Sequence, residues 1–269
     1  MFNQAIDQAP EGKLGKLYNK AVSRAAGGDK FTEKSALAKA VYMGADGLAF
    51  RKLKGKFIPL TNDFYRQLFD AFSPYMDDDI LDIVERENAG TGSVNMRRYY
   101  FLVGPKHPHN EASFERCHIV EVKQQRRAAP LYFFDNTNPI NRLNPAHLTA
   151  RCQRHMQRSA DLLLDEVYWQ EAHWLVRSRH HARVGIDPED IGMGNKAISG
   201  GFEYFASLCG KSLALAHCRG DRRSTNFAQT ISNALNNNKR SLIEDANHYA
   251  DIVIDDHKHF VDILMNGGD

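Results

Sequence analysis

Apolar positions recur at helical spacing over Leu14, Leu17, Tyr18, Ala21, Val22 and Ala25, and Gly27-Gly28 ends the run, which predicts a first helix. A second helix is predicted over 32–41, with Thr32 or Ser35 as cap and Leu37, Ala40 and Val41 as its inner face. Residues 47–59 alternate apolar and basic positions about Lys54-Gly55 and read as a short hairpin. Asn62 then caps a helix that turns Phe64, Leu68, Phe69 and Phe72 inward. Ile80, Ile83 and Val84 follow the acidic turn Asp77-Asp78-Asp79 and read as another helix, because carboxylates favour the positive helix end.

From Asn88 the pattern changes to strand. Residues 97–103 and 116–123 alternate on either side of a two-proline loop at 104–110, and 131–134 reads as a further short strand. Pro139 and Pro145 bracket a loop before a long helix carrying Leu148, Cys152, Met156, Ala160 and Leu163 on one stripe. Residues 167–177 read as one or two strands, and 185–201 as a glycine-rich connection. Helices are predicted at 202–216 and 246–264, with the asparagines of 233–238 as a turn between helices. The expected class is α+β, a small mixed or antiparallel sheet flanked by helices. Three segments result: a mainly helical 1–87 with a hairpin, a β-rich lobe at 88–180 with one long helix, and a helical 181–269. They are compatible with one continuous domain.

A length of 269 residues allows a sizeable core, and 42% hydrophobic with 25% charged residues is ordinary for a globular chain. The net charge of +2 supplies no global field for nucleic acid or a membrane surface. The pairs Arg97-Arg98, Arg126-Arg127 and Arg222-Arg223 lack interleaved aromatics and read as exposed surface. Cys117, Cys152, Cys209 and Cys218 show no C-x-x-C spacing, and without a secretory leader they read as reduced thiols. No apolar run reaches the length of a membrane span. A cytoplasmic location is expected.

One constellation carries chemistry across two elements. Gly90-Thr91-Gly92-Ser93-Val94 is a small-residue turn, and Ile119-Val120-Glu121-Val122-Lys123 is a strand ending in lysine. Glycine turns bare backbone N–H groups to phosphate, and in phosphotransferases a strand lysine reaches the same phosphates. The bland alternative is a tight turn followed by an edge or solvent-facing lysine.

These residues, with Gln153-Arg154-His155-Met156-Gln157, Trp174-Leu175-Val176-Arg177, the stretch from Leu208-Cys209-Gly210 to Ala216-His217, and Tyr249-Ala250-Asp251, resemble the bacterial family catalogued as domain of unknown function 2252. The matches lie in order over 90–260, and the resemblance is to the C-terminal half or more of that family's members. It implies a protein-kinase-like or aminoglycoside-phosphotransferase-like partial fold, with Gly90, Thr91, Gly92, Ser93 and Lys123 binding the phosphates of ATP, and with Mg2+ as the accompanying ion, for which no ligand is assigned. The family's Gly-Asp-x-His-x-x-Asn segment is not found in 1–89. The expectation is a shortened member whose catalytic loop would come from a partner chain or an upstream segment. Alone, such a chain would bind nucleotide weakly and not turn it over. Asn95 stands where a further glycine is expected, and asparagine tolerates left-handed angles.

Other candidates are weaker. Asp221 and Asn226 have the spacing of a catalytic base and a metal ligand, and 252–256 would then supply a metal-binding strand, against strong helical periodicity there. That reading makes the chain a self-contained phosphotransferase. A third possibility is a non-catalytic interaction module. The long helix offers Lys123 Gln153 and Gln157 in its first turns, and the first acids that follow are Asp161, Asp165 and Glu166. Arg177 and Arg179 read as solvent-facing arginines on an edge strand, and His173, His180 and His181 as surface histidines. Asp251, Asp255 and His259 share a helix face, read as solvated, and no metal site is assigned.

Overall fold

The computed structural model describes residues 12–45, 47–90, 94–134, 144–187, 189–198, 201–220 and 226–267. The chain begins with α1 (Gly12–Ser23), α2 (Phe31–Lys34) and α3 (Ala36–Ala40), then β1 (Val41–Gly44), β2 (Gly47–Phe50) and β3 (Phe57–Pro59). Next come α4 (Asn62–Phe72), β4 (Ile80–Arg86), β5 (Arg98–Val103), α5 (Glu111–Glu115) and β6 (His118–Gln125). After α6 (Pro130–Phe133) and α7 (Pro145–Met156) the hairpin β7 (Leu164–Trp169) and β8 (Ala172–Arg179) forms. Helices α8 (Glu189–Gly192), α9 (Asn195–Ile198), α10 (Gly201–Gly220) and α11 (Asn226–Asn266) complete the described chain. Met1–Gly220 is one compact unit and Asp221–Asp269 a second.

The class is mixed α+β with antiparallel sheets flanked by helices. Strands β3 to β8 form one sheet in the order β3-β4-β5-β6-β8-β7, every neighbour antiparallel, and β1 pairs with β2 in a separate ribbon. Paired residues share a face. One face places Tyr99, Phe101, Val120, Val122, Trp174 and Val176 against Leu68 and Phe72 of α4. The opposite face places Tyr100, Leu102 and Ile119 under Phe31, Leu37, Val41 and Phe50 from the N-terminal elements. At its β8 side, Leu175 and Leu164 pack on Ala150 of α7. Every residue of β5 is buried, so this sheet is covered on both sides.

That double burial explains the largest departure from the predicted elements. Ile80, Ile83 and Val84 lie in strand β4, not in a helix. A strand covered on both faces loses its period-two alternation, and its apolar positions can fall by chance on helical spacing. The acidic turn does not start a helix. Asp77 meets His118 at 2.9 Å, Asp78 meets Arg116 at 3.5 Å and Asp79 meets Lys106 at 3.6 Å.

Residues 47–59 do not make one hairpin: β2 pairs with β1, β3 pairs with β4, and only the Leu53–Phe57 bridge closes the turn at Lys54-Gly55. The predicted helix at 32–41 breaks at Ser35, whose ψ of 165° is extended and whose hydroxyl accepts the Ala38 N–H at 2.9 Å. Of the strand predicted at 131–134, residues 131–133 lie in the short helix α6 and Phe134 ends it in extended backbone, with Pro130 in the first turn, where a missing N–H costs nothing. Helix α7 stops at Met156 rather than running to Leu163. The asparagines of 233–238 lie inside the 41-residue α11, where the Asn238 amide donates to the Ala234 carbonyl at 2.8 Å.

The β7–β8 hairpin turns on Gln170 and Glu171, both at positive φ (48° and 56°), as a type I′ connection requires. Neither residue suits that region, which costs an ordinary side chain about 1–2 kcal/mol. Glu171→Gly is therefore expected to stabilise the fold by about 1 kcal/mol, read as a higher urea midpoint with an unchanged slope.

Candidate functional site

Glu121 sits in the middle of β6, on the interior of the sheet, and is fully buried. Its partners come from both neighbouring strands. Register pairs it with Tyr100 on β5 and Arg177 on β8, so the three side chains share a face. Arg177 donates from Nε at 3.0 Å and from Nη2 at 2.8 Å to Oε1. Arg179 donates to Oε2 at 3.1 Å, and Arg98 lies 3.3 Å from the same oxygen. Arg179 also donates to the Tyr100 hydroxyl and stacks 4.8 Å from the centre of its ring. Burial pushes the Glu121 carboxyl up, but Arg177, Arg98 and Arg179 outweigh it and hold the group below the usual carboxylate range. One carboxylate thus answers three guanidinium groups, and among the described residues cations outnumber it on this face.

This corrects two readings of the sequence. Arg177 and Arg179 are not solvent-facing residues of an edge strand, because β8 lies between β6 and β7. Arg98 is not a surface arginine, being only 8% exposed. Of the other pairs, Arg127 stacks 4.6 Å from the centre of the Tyr132 ring, and Arg222-Arg223 lies outside the described residues.

The connection from β4 to β5 carries the glycine turn. Its first half is tied down by the Glu87 N–H to the Lys56 carbonyl at 3.1 Å and by the Asn88 amide to the Gly55 carbonyl at 2.9 Å. Gly90 has φ +111°, a conformation that a side chain rarely adopts, and Asn95 has φ +61°, the left-handed angle expected of it. Thr91, Gly92 and Ser93 lie outside the described residues. The second half is fastened to the lysine strand: the Gln124 N–H donates to the Arg97 carbonyl at 3.0 Å, and the Arg97 N–H to the Gln124 side chain at 3.2 Å.

Lys123 pairs in register with Arg98, on the face that holds Glu121. It is half-buried on an interior strand, not an edge lysine. Burial lowers its pKa, Arg98 lowers it further, and Glu121 acts the other way. Among the described residues no side chain bonds its ammonium. Helix α7 packs beside this strand, and the Thr149 hydroxyl donates to Gln125 at 3.2 Å. Gln153 keeps its side-chain oxygen buried and unbonded, and Gln157 caps the helix through its backbone N–H. Glu166 is taken by His147 at 2.8 Å.

The remaining candidates fall apart geometrically. Asp221 lies outside the described residues, and Asn226 is the first residue of α11. Residues 252–256 are helical and supply no metal-binding strand. Asp251, Asp255 and His259 are exposed on α11, with Asp255 joined to Lys258 at 2.9 Å. Among the described residues no three His, Cys, Asp or Glu side chains gather to hold a metal, and no helix is long and apolar enough to cross a membrane. His181 is not a surface histidine: its ring meets Phe31 edge-on at 5.1 Å, and burial lowers its pKa to about 4.

No curated protein matches this sequence, and no solved structure does. A family model described as "Uncharacterized protein conserved in bacteria (DUF2252)" matches residues 1–263. The likeness is therefore not confined to a C-terminal portion: the N-terminal helices and the ribbon that cover the cationic face are inside it. With nearly its whole length matched, the chain belongs to this bacterial family, domain of unknown function 2252.

Proposed function

We propose that the chain is a kinase-lobe-like nucleotide-binding protein in which the turn at 90–93 and Lys123 hold the phosphates of ATP. The observation that carries this is the half-buried Lys123 ammonium, which no described residue bonds, on the strand fastened to the end of the glycine connection. Desolvated cations without partners are costly, and a phosphate oxygen would relieve that cost. The order of parts supports the reading. In protein kinases a glycine-rich loop covers the phosphates, and the lysine stands on the third strand. Here the glycine connection joins β4 to β5, Lys123 is on the next strand, and α7 separates it from the β7–β8 hairpin.

The residues present fit phosphate better than magnesium. Glu121, the acid closest to Lys123 along the strand, is committed to three arginines. Magnesium usually keeps one or two carboxylates beside the phosphates, so we assign no protein ligand to it and no step through it. In active kinases an acid pairs with such a lysine, and among the described residues no carboxylate bonds Lys123. Binding without turnover is the version we put forward, and phosphoryl transfer would require a catalytic segment from a partner.

ATP at about a hundred times its dissociation constant is expected to add about 2.7 kcal/mol of stability, and Lys123→Ala to abolish the shift. An unshifted melting curve for the parent chain refutes nucleotide binding and leaves a non-catalytic interaction module. Magnesium-dependent ATP hydrolysis lost in Asp221→Ala would instead favour a self-contained phosphotransferase.

A further inference from the structure

A cavity of about 350 Å³ lies on the covered face of the sheet, beneath α2 and α3, and Lys123 is not among its lining residues. Its walls include Lys34, Lys39, Lys56, Arg86, Arg98 and Arg179, and among the described residues no Asp or Glu lines it. We propose that this cavity is a binding site for a compact polyphosphate, a ligand of a few linked phosphate units, separate from the phosphates held at Lys123.

Three observations support it. Among the described residues no carboxylate of the cavity wall balances its lysines, and the buried carboxylate below, Glu121, already serves Arg177, Arg98 and Arg179. Arg86 brings a guanidinium nitrogen, Nη1, that is buried and bonded to no described residue, while its carbon sits 5.8 Å from the centre of the Phe57 ring. Lysines across the cavity feel one another as well. Arg24 is the largest influence that lowers the Lys39 pKa, followed by burial and by Lys20, Lys34 and Lys56. Such mutual repulsion is what a bound polyanion removes.

The ligand's size follows from the walls. Phe57, Tyr100 and Ile119 give the cavity an apolar floor, which strengthens each ionic contact. The volume is at the lower end of small-molecule sites, too small for a nucleic-acid duplex. A neighbouring cavity of about 450 Å³ shares Arg24 and Lys34, adds Lys16, Lys20 and Lys30, and among the described residues has no lining acid either. It extends the positive field outward and would steer an anion inward.

The probe is sodium tripolyphosphate, titrated into the full chain by calorimetry at fixed ionic strength, with sulfate as the charge control. Saturable binding that Lys34→Ala with Lys39→Ala weakens by about tenfold or more, and that Lys123→Ala leaves within about twofold, supports the site. Both lysines are exposed, so their removal leaves the core intact. No binding, binding insensitive to the double substitution, or sulfate binding as tightly as tripolyphosphate overturns it. Loss in Lys123→Ala alone overturns it too, and assigns the phosphates to the nucleotide site. A single-stranded DNA oligomer that outcompetes tripolyphosphate replaces the proposal with nucleic-acid binding. The two readings fail separately, because ATP stabilisation is judged by Lys123 and tripolyphosphate binding by Lys34 and Lys39.

Discussion

Glu121→Gln is expected to cost about 3–5 kcal/mol of folding stability, a large part of the roughly 5–15 kcal/mol available to a domain. The substitution keeps the side chain's shape and removes its charge. Arg98, Arg177 and Arg179 would then face one another around a neutral amide with no exposure to water at its centre. Breaking a buried ion cluster by deleting one partner leaves uncompensated charge, which is far worse than never having built the cluster. Glu121→Asp retains the charge with a shorter reach and should fall between the two. Urea unfolding of the three proteins tests this. A loss below about 1 kcal/mol for Glu121→Gln would mean that solvent or counter-ions already balance the arginines.

This cluster was the part of the site hardest to read in the sequence, and the reason is geometric. Arg177 stands 56 positions from Glu121, and Arg179 stands 58 away. They meet only because β8, besides its hairpin partner β7, pairs with the sequence-distant β6. A glutamate between valines on an alternating strand reads as solvent-facing. It becomes a buried anion because the N-terminal elements, 31–50, cover that face. The available hint was that Glu121 and Lys123 share one parity while Val120 and Val122 take the other, with arginines at equal parity on a second strand. The place of Lys123 on a strand after the glycine connection, by contrast, was legible, because that pattern is local.

The fold divides along the same line. Strands bounded by loops and rich in aromatics, 98–103, 118–125 and 164–179, follow from local alternation and turn residues. Where tertiary cover decides, the pattern misleads. Strand β4 carries apolar residues on both faces and mimics helical spacing, and α6 begins at Pro130 in a run whose aromatics suggested a strand. Asparagines suggested a break in α11, yet the helix continues through them, with Gln229 bonded to Asn233 at 3.0 Å and Arg240 to Glu244 at 2.8 Å. Asparagine disfavours a helix by well under 1 kcal/mol, and bonds one turn apart offset part of that.

Acid should destabilise the protein well before its carboxylates titrate, and His181 is the reason. Its ring lies against Phe31, in the layer that covers the cationic face, and its carbonyl accepts the Ala36 N–H at 2.9 Å, joining the end of the sheet to α3. Burial first, then His118 and His180, depress its pKa from 6.5 to about 4. The folded state therefore prefers the neutral ring, while the unfolded chain takes up a proton near pH 6.5. Between pH 6.5 and 4 the unfolded state binds more protons, so stability is full above 6.5 and falls as the pH drops. The loss amounts to about 3 kcal/mol by pH 4. Glu121, with a lowered pKa, adds its own loss only below its ordinary value of 4.5. Asp82 and Asp161, raised chiefly by burial, work in the opposite sense just above pH 3.8, so the comparison must be made against a variant. His181→Phe keeps an aromatic ring against Phe31 and removes the proton. Its urea midpoint should be nearly flat from pH 7 to 5, where the parent's declines. Parallel declines in the two proteins would show that the acid sensitivity lies elsewhere.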